Sequence, residues 1–338
     1  MKKKYIKSIL PALVIFIILI YASFNNKDNE VYKRSELLLG TLIEISAVEH
    51  FDEKNYKEAV EEAFKEIKRL ESVLGRRRKG SDIWKINNRQ GEEVAVSPEV
   101  LEVVEQALLY EKKTMGAFDI TLGRLIELWN FGGDGKSPPS KDEVLKALAR
   151  SGLENVDIDR VGKTIRVTNG VHLDLGGIAK GYIIDKAGAL LLKKGVDHFI
   201  INAGGDMVIN GKKGNKPWRI GLQHPRKPGE IIAYMDIENK NIAVVTSGDY
   251  ERYFMYQGKR YHHILDPSTG YPAGGLMSVT VTADNASAAD ALSTSIFVLG
   301  LKDGMALVNS MEGVECVLVD SNEKIHLSDG LKGKVVIR

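Results

Sequence analysis

Cysteine is almost absent. Cys316 is the only one in 338 residues, so no disulfide can form within the chain. Its place in the apolar run Val314 to Val319 predicts a small buried core residue. An excess of either charge is missing as well. The formal net charge is +2, and Lys2, Lys3, Lys4 and Lys7 are the only charges in the first 26 residues, which leaves the remainder at 2 − 4 = −2. Nucleic acid demands a basic patch, so it is excluded as a partner. Neither G-x-x-x-x-G-K-[ST] nor G-x-G-x-x-G occurs, which removes the familiar nucleotide loops. G-x-S-x-G is absent too, and Ser247 has no His-Asp partner at a recognisable spacing, which discounts a serine hydrolase. No internal repeat or low-complexity segment is present.

One long apolar run exists, Ile9 to Ala22, behind the basic flank Lys2 to Lys7 and ahead of the mostly polar Ser23 to Glu30. This layout predicts a secretory signal or signal anchor over residues 1–30. The run's fourteen residues fall short of the ~20 of a full transmembrane helix. No small-x-small cleavage site is clear, and no cysteine follows closely enough for lipid modification. The expectation is an uncleaved anchor in the cytoplasmic membrane, lysines inside, with a globular domain over 31–338 on the extracytoplasmic side.

With 43% hydrophobic and 27% charged residues, the remainder reads as an ordinary globular protein. A first strand is expected over 37–48. Helical spacing follows over 55–74, with Ala59, Ala63, Ile67, Leu70 and Leu74 on one face. The loop Gly75 to Gly80 carries Arg76, Arg77 and Arg78, expected in solvent. Ser97-Pro98-Glu99 starts a second helix. Val171 to Leu175 reads as a short strand that breaks at Gly176-Gly177 and enters a helix ending at Lys193-Lys194-Gly195. Such a helix start suits a phosphate, although a plain strand-turn-helix connection has the same pattern. Later strands are interspersed with helices at 286–299 and 304–311. Without strict βαβ alternation, α+β is the predicted class.

Several stretches could carry chemistry. Asp290 and Thr294 stand four apart on a helix, with Ser293 adjacent, among small alanines. One carboxylate with hydroxyls is a hard-oxygen set suited to Mg²⁺; a tightly packed helix with a hydrogen-bonded Asp–Thr pair would look the same. His262 and His263 point to opposite faces of a strand, so only one can serve a given site, and a histidine at a strand end is a reasonable general base. Asp266 reads as a turn cap, and Trp129 and Phe131 either form an aromatic wall or pack in the core.

Taken together these segments are specific. Leu39-Gly-Thr41, Gly116-Ala-Phe-Asp-Ile-Thr-Leu-Gly123, Asp174-Leu-Gly-Gly-Ile-Ala-Lys-Gly181, Asn202-Ala-Gly-Gly-Asp206, Thr246-Ser-Gly248, His263-Ile-Leu-Asp-Pro-Ser-Thr-Gly270 and Ala289-Asp-Ala-Leu-Ser-Thr294 occur in the order found in one family. From Leu39 to its end the chain resembles the ApbE-type FAD:protein FMN transferases. The resemblance implies an α+β, T-fold-like arrangement of mixed or antiparallel sheets with packed helices. It implies a Mg²⁺-dependent enzyme that attaches FMN from FAD to a threonine or serine of an acceptor protein and releases AMP. The usual acceptors are membrane electron-transport flavoproteins. By the same resemblance Leu39, Ala117, Phe118, Asp119, Asp174, Lys180 and Ile264 would bind FAD. Asp290, Thr294, Ser293 and the backbone oxygen of Gly177 would hold the metal, and His263 would deprotonate the acceptor hydroxyl. The chain departs from the family pattern in having Leu39 for the usual Met, Arg77 near a usual aromatic, and no anchoring cysteine. It contains no Ser/Asp-Gly-Ala-Thr acceptor sequence of its own. A Mg²⁺-dependent FAD pyrophosphatase, or a non-catalytic surface flavin-binding protein, would use the same flavin-binding residues.

Overall fold

A computed structural model describes residues 31–48, 53–131, 137–238 and 241–338. The expected anchor and linker, residues 1–30, lie outside the described residues. Eight strands form the main sheet: β1 (Val31–Leu38), β2 (Thr41–Val48), β3 (Phe199–Ala203), β4 (Asp206–Asn210), β5 (Ile242–Gly248), β6 (Leu276–Ala283), β7 (Glu315–Asp320) and β8 (Ile325–Leu327). They lie side by side in that order, every neighbouring pair antiparallel. The α+β class holds. The expected single strand over 37–48 is instead a hairpin, because Leu39 and Gly40 both adopt positive φ (55° and 73°) and close a two-residue turn. Leu39 is an unusual residue there, and Glu71 holds it by accepting its N–H at 2.8 Å.

Both faces of this sheet are covered, which is why its central strands are apolar on alternate and on successive residues. β6 is buried along its whole length. Val279, Val281, Cys316 and Leu318 meet the helices. Val244, Val317 and Val319 meet a small three-stranded sheet of Trp218–Gln223, Ile231–Ile237 and Val335–Ile337. The helices are α1 (Glu53–Leu74), α2 (Asp82–Asn88), α3 (Pro98–Lys113), α4 (Gly123–Trp129), α5 (Lys141–Leu148), α6 (Ala179–Lys193) and α7 (Ala286–Asn309). The predicted α1 stripe is buried, and Ser97 caps α3 by accepting the Val100 N–H at 3.4 Å.

α7 comprises two helical segments, as expected, joined at a kink where Gly300 adopts φ 75° and ψ −174°. It is long and apolar enough to cross a membrane, yet Leu292, Ile296 and Phe297 are fully buried against the sheet. Each contributes roughly 1.5–3 kcal/mol by leaving water. Val171 to Leu175 is not a strand. Asn87 takes the place of a partner strand, donating from Nδ2 to Leu173 O at 2.9 Å and accepting the Leu173 N–H at 2.7 Å. The Asp174 N–H goes to Ile120 O at 2.8 Å. A third cluster gathers Trp129, Phe131, Phe254 and Tyr261, with Trp129 donating from Nε1 to Gly270 O at 2.8 Å.

Candidate active site

The two helices that frame the site are tied at their starts. Asp185 of α6 accepts the first N–H groups of α7, from Ala286 at 2.7 Å and Ser287 at 2.8 Å. One turn earlier in α6, the Gly181 N–H donates to Asp290 Oδ2 at 3.0 Å. A side chain at 181 would collide with Ala286 O, so the alanine-rich start of α7 and Gly181 permit this approach. The turn before α6 lies against the same helix. A Cβ at Gly177 would be 3.3 Å from Thr294 Oγ1 and 3.1 Å from Phe118. The helix itself begins at Ala179, with Ile178 as its cap. The Gly176 N–H is already given to Asp174 Oδ1 at 2.7 Å, so it is not open for an anion.

Around this junction is a cavity of about 460 Å³. Of the catalytic, flavin-binding and metal residues that the resemblance implies, all but Ser293 line it: His263, Leu39, Ala117, Phe118, Asp119, Asp174, Lys180, Ile264, Gly177, Asp290 and Thr294. Ser293 is fully buried beside it. Its hydroxyl donates to Asp290 O at 2.9 Å and lies 2.8 Å from Ser247 Oγ, so it holds two of the lining residues in place. Asp119 spends its carboxylate on Thr121, accepting from N at 2.7 Å and Oγ1 at 2.6 Å.

Negative charge dominates the inner wall. Lys180 is paired with the fully buried Asp206 at 2.5 Å, Glu251 and Asp290 face the same ammonium, and Arg252 is the next cation, acting on Glu251. Burial, then repulsion from Asp206, pushes Asp290 up to about 8 against an ordinary 3.8. Loss of water, then repulsion from Asp206, raises Glu251 to about 7 against the pull of Lys180. Three carboxylates against Lys180 and Arg252 leave room for a further cation, and Asp290 with the neighbouring Thr294 hydroxyl offers the hard oxygens that Mg²⁺ takes. The observed donors therefore fit that ion. Among the described residues no cluster of three His, Cys, Asp or Glu side chains offers a denser site.

The two histidines separate where the strand Lys259–His262 ends, His262 being its last residue and His263 the first beyond it. His262 is buried edge-on to Phe297, its Nε2 2.9 Å from Ala273 O and its Nδ1 accepting the Ile264 N–H at 3.3 Å. His263 lines the cavity, its N–H donating to Arg252 O at 3.0 Å, with Nδ1 buried and unpartnered. Burial, then the Arg252 guanidinium, holds His263 down to about 3, so it is a neutral imidazole at physiological pH.

Sequence reasoning missed several lining residues. Arg76, expected in solvent, is only 13% exposed and forms an ion pair with Asp174 and another with Glu127 at 3.2 Å. Glu251 and Arg252 lie outside every segment singled out above. Asp206 ends one of the segments, but its partner Lys180 lies on another element. Phe131 does line the cavity, whereas Trp129 packs in the aromatic cluster.

Known proteins are similar to this chain in sequence and fold. A profile of the ApbE family matches residues 39–318. An FAD:protein FMN transferase of Treponema pallidum is 33% identical over 322 residues, covering 90% of this chain and 88% of that protein. One from Klebsiella pneumoniae is 35% identical over 305 residues, covering 89% and 93%. The crystal structure of the ApbE protein of Thermotoga maritima superposes with a TM-score of 0.83 at 38% identity, covering 90% of this chain and 99% of that one. The flavin transferase ApbE of Vibrio cholerae gives 0.77 at 29% identity, with the same coverage.

Proposed function

The chain belongs to the ApbE family, and on that premise we propose that it transfers FMN from FAD to a threonine or serine hydroxyl of an acceptor protein, releasing AMP. The observation that carries the reading is the meeting of His263, Lys180 and the Asp290–Thr294 pair on one cavity, although they come from three distant segments. The hydroxyl oxygen bonds to the phosphorus of the FMN half, the bond from that phosphorus to the AMP oxygen breaks, and His263 takes the hydroxyl proton. A neutral imidazole can accept that proton, and the diphosphate's negative charge opposite it favours the imidazolium. A positioned base of this kind contributes roughly 10²–10⁴ in rate. Asp290, Thr294 and the backbone oxygen of Gly177 would hold Mg²⁺, with Ser293 fixing the Asp290 segment from behind. Bound there, the ion supplies charge neutralisation to the diphosphate. Leu39, Ala117, Phe118, Asp119, Asp174, Lys180 and Ile264 would contact FAD. Lys180 and Arg76 are held in place by Asp206 and Asp174, so they bring little loss of side-chain freedom on binding.

The proposal extends to location. The basic flank and apolar run of residues 1–30 support an anchor in the cytoplasmic membrane, with the catalytic domain outside and an electron-transport flavoprotein as the acceptor. The test mixes the full chain with FAD, Mg²⁺ and such an acceptor, and reads flavin fluorescence of the denatured acceptor band with and without chelator. A fluorescent band that chelator abolishes is expected. AMP and free FMN with a dark band would assign the chain to FAD hydrolysis instead.

A further inference from the structure

The acceptor must bring a polypeptide to His263, and a second concavity leads there. A groove of about 570 Å³ shares Thr246 and Glu251 with the active-site cavity. Its wall is the strand Trp218–Gln223, the outermost of the small sheet, and among the described residues no strand pairs with its free side. Its floor lies on β1, β3 and β4, where Val31, Ile200 and Met207 are half-buried at the margin of the small sheet's core. Along the wall Trp218, Ile220 and Leu222 are buried while Arg219, Gly221 and Gln223 are exposed. A strand laid beside it would continue the small sheet over a floor that mixes Val31, Ile200 and Met207 with Ser46 and Asn202, satisfying backbone groups on both chains.

Two of the three cations that line the groove are paired, Lys33 with Glu44 at 3.1 Å and Arg219 with Asp236 at 2.7 Å, and Lys213 is the third. What the groove offers is an open strand edge contiguous with the reaction cavity. Resting on the transferase reading, we propose that the acceptor polypeptide docks here as an added strand along Trp218–Gln223, delivering its hydroxyl past Thr246 and Glu251 to His263.

The probe is a peptide carrying Asp-Gly-Ala-Thr with six residues on each side, the length of the wall strand, and a second peptide without those flanks. Hydrogen exchange on the full chain with FAD and Mg²⁺ is expected to show protection of Trp218–Gln223 by the flanked peptide only. Ile200→Lys, on the floor, is expected to raise KM for the flanked peptide about ten-fold. It should leave FAD affinity and transfer to the short peptide unchanged, which also reports that the variant folds. Transfer with no protection of the wall and an unchanged KM would overturn the proposal. So would protection that exists without peptide and disappears when residues 1–30 are removed, because the groove would then hold the chain's own leader. Protection without covalent flavin would leave the docking surface standing and remove the transferase reading.

Discussion

Gly181→Ala tests whether the contact of α6 with α7 builds the site. The added Cβ would lie 2.2 Å from Ala286 O, 2.5 Å from Ala286 C and 2.8 Å from Ser287 N, all backbone atoms with no rotamer to yield. Ordinary contact begins near 3.4 Å, so the helices must part by 3.4 − 2.2 = 1.2 Å at this point. That movement loosens the Gly181 N–H bond to Asp290 and draws Asp290 and Thr294 away from the Gly177 turn. Overpacking of this kind costs about 1–3 kcal/mol. A misplacement near 1 Å at reacting groups costs about 10²-fold in rate. Gly188→Ala in the same helix is the control. Its Cβ would meet Val208 Cγ1 at 3.2 Å and the Phe199 ring at 3.5 Å, side chains that can give by a few tenths of an ångström. The assay is the initial rate of covalent flavin on the acceptor, with a thermal melt of each variant. Gly181→Ala is expected to transfer about a hundred-fold more slowly, and Gly188→Ala at the wild-type rate. Wild-type rate and melting in Gly181→Ala would refute the role of the helix contact.

His263→Ala is expected to lower transfer by roughly 10²–10⁴ with FAD affinity unchanged by calorimetry; an equal loss of affinity would remove it from proton transfer. Asp290 gives a pH prediction. Its folded value, about 8, lies above the ordinary 3.8, so the metal-free protein is fully stabilised at low pH and loses that stability as pH climbs toward 8. The gap sets a ceiling of roughly 6 kcal/mol, which the charge of Lys180 nearby reduces. Asp290→Asn keeps an oxygen for the Gly181 N–H, so it should match wild type in melting at pH 4 and melt higher at pH 8, both without metal, yet transfer no flavin. Added Mg²⁺ should raise the melting of wild type at pH 8 and not that of the variant.

What the sequence revealed depended on local repetition. Asp290 and Thr294 could be placed together because a helix fixes residues four apart on one face, and His262 and His263 were expected to part by strand alternation, although the strand ends at His262. The α1 stripe and the Ser97 cap follow the same logic. Partnerships between distant residues left no such trace. Arg76 looked solvated because Asp174 lies nearly a hundred positions away, and Val171 to Leu175 looked like a strand because nothing local shows that Asn87 would satisfy its backbone. The Leu39–Gly40 turn was hidden by an apolar run that continues across it. Gly300 was legible as a helix end because glycine readily takes a φ of 75°, and Ile296 and Phe297 before it and Val308 after it are buried in the same core.

The neighbouring position of β2 and β3 sets a schedule for the nascent chain. Ile43 pairs with Ala203 and Ala47 with Phe199, across more than 150 residues. At about 5–20 residues per second, the β1–β2 hairpin waits roughly ten to thirty seconds of synthesis for its partner. Through that interval the edge carrying Ile43 and Ile45 has unpaired backbone and two side chains destined for complete burial. Any second copy on a crowded ribosome array presents the same edge. A chain built this way gains from slow release or from a holding chaperone at its first hairpin, long before residue 290 arrives to complete the cavity.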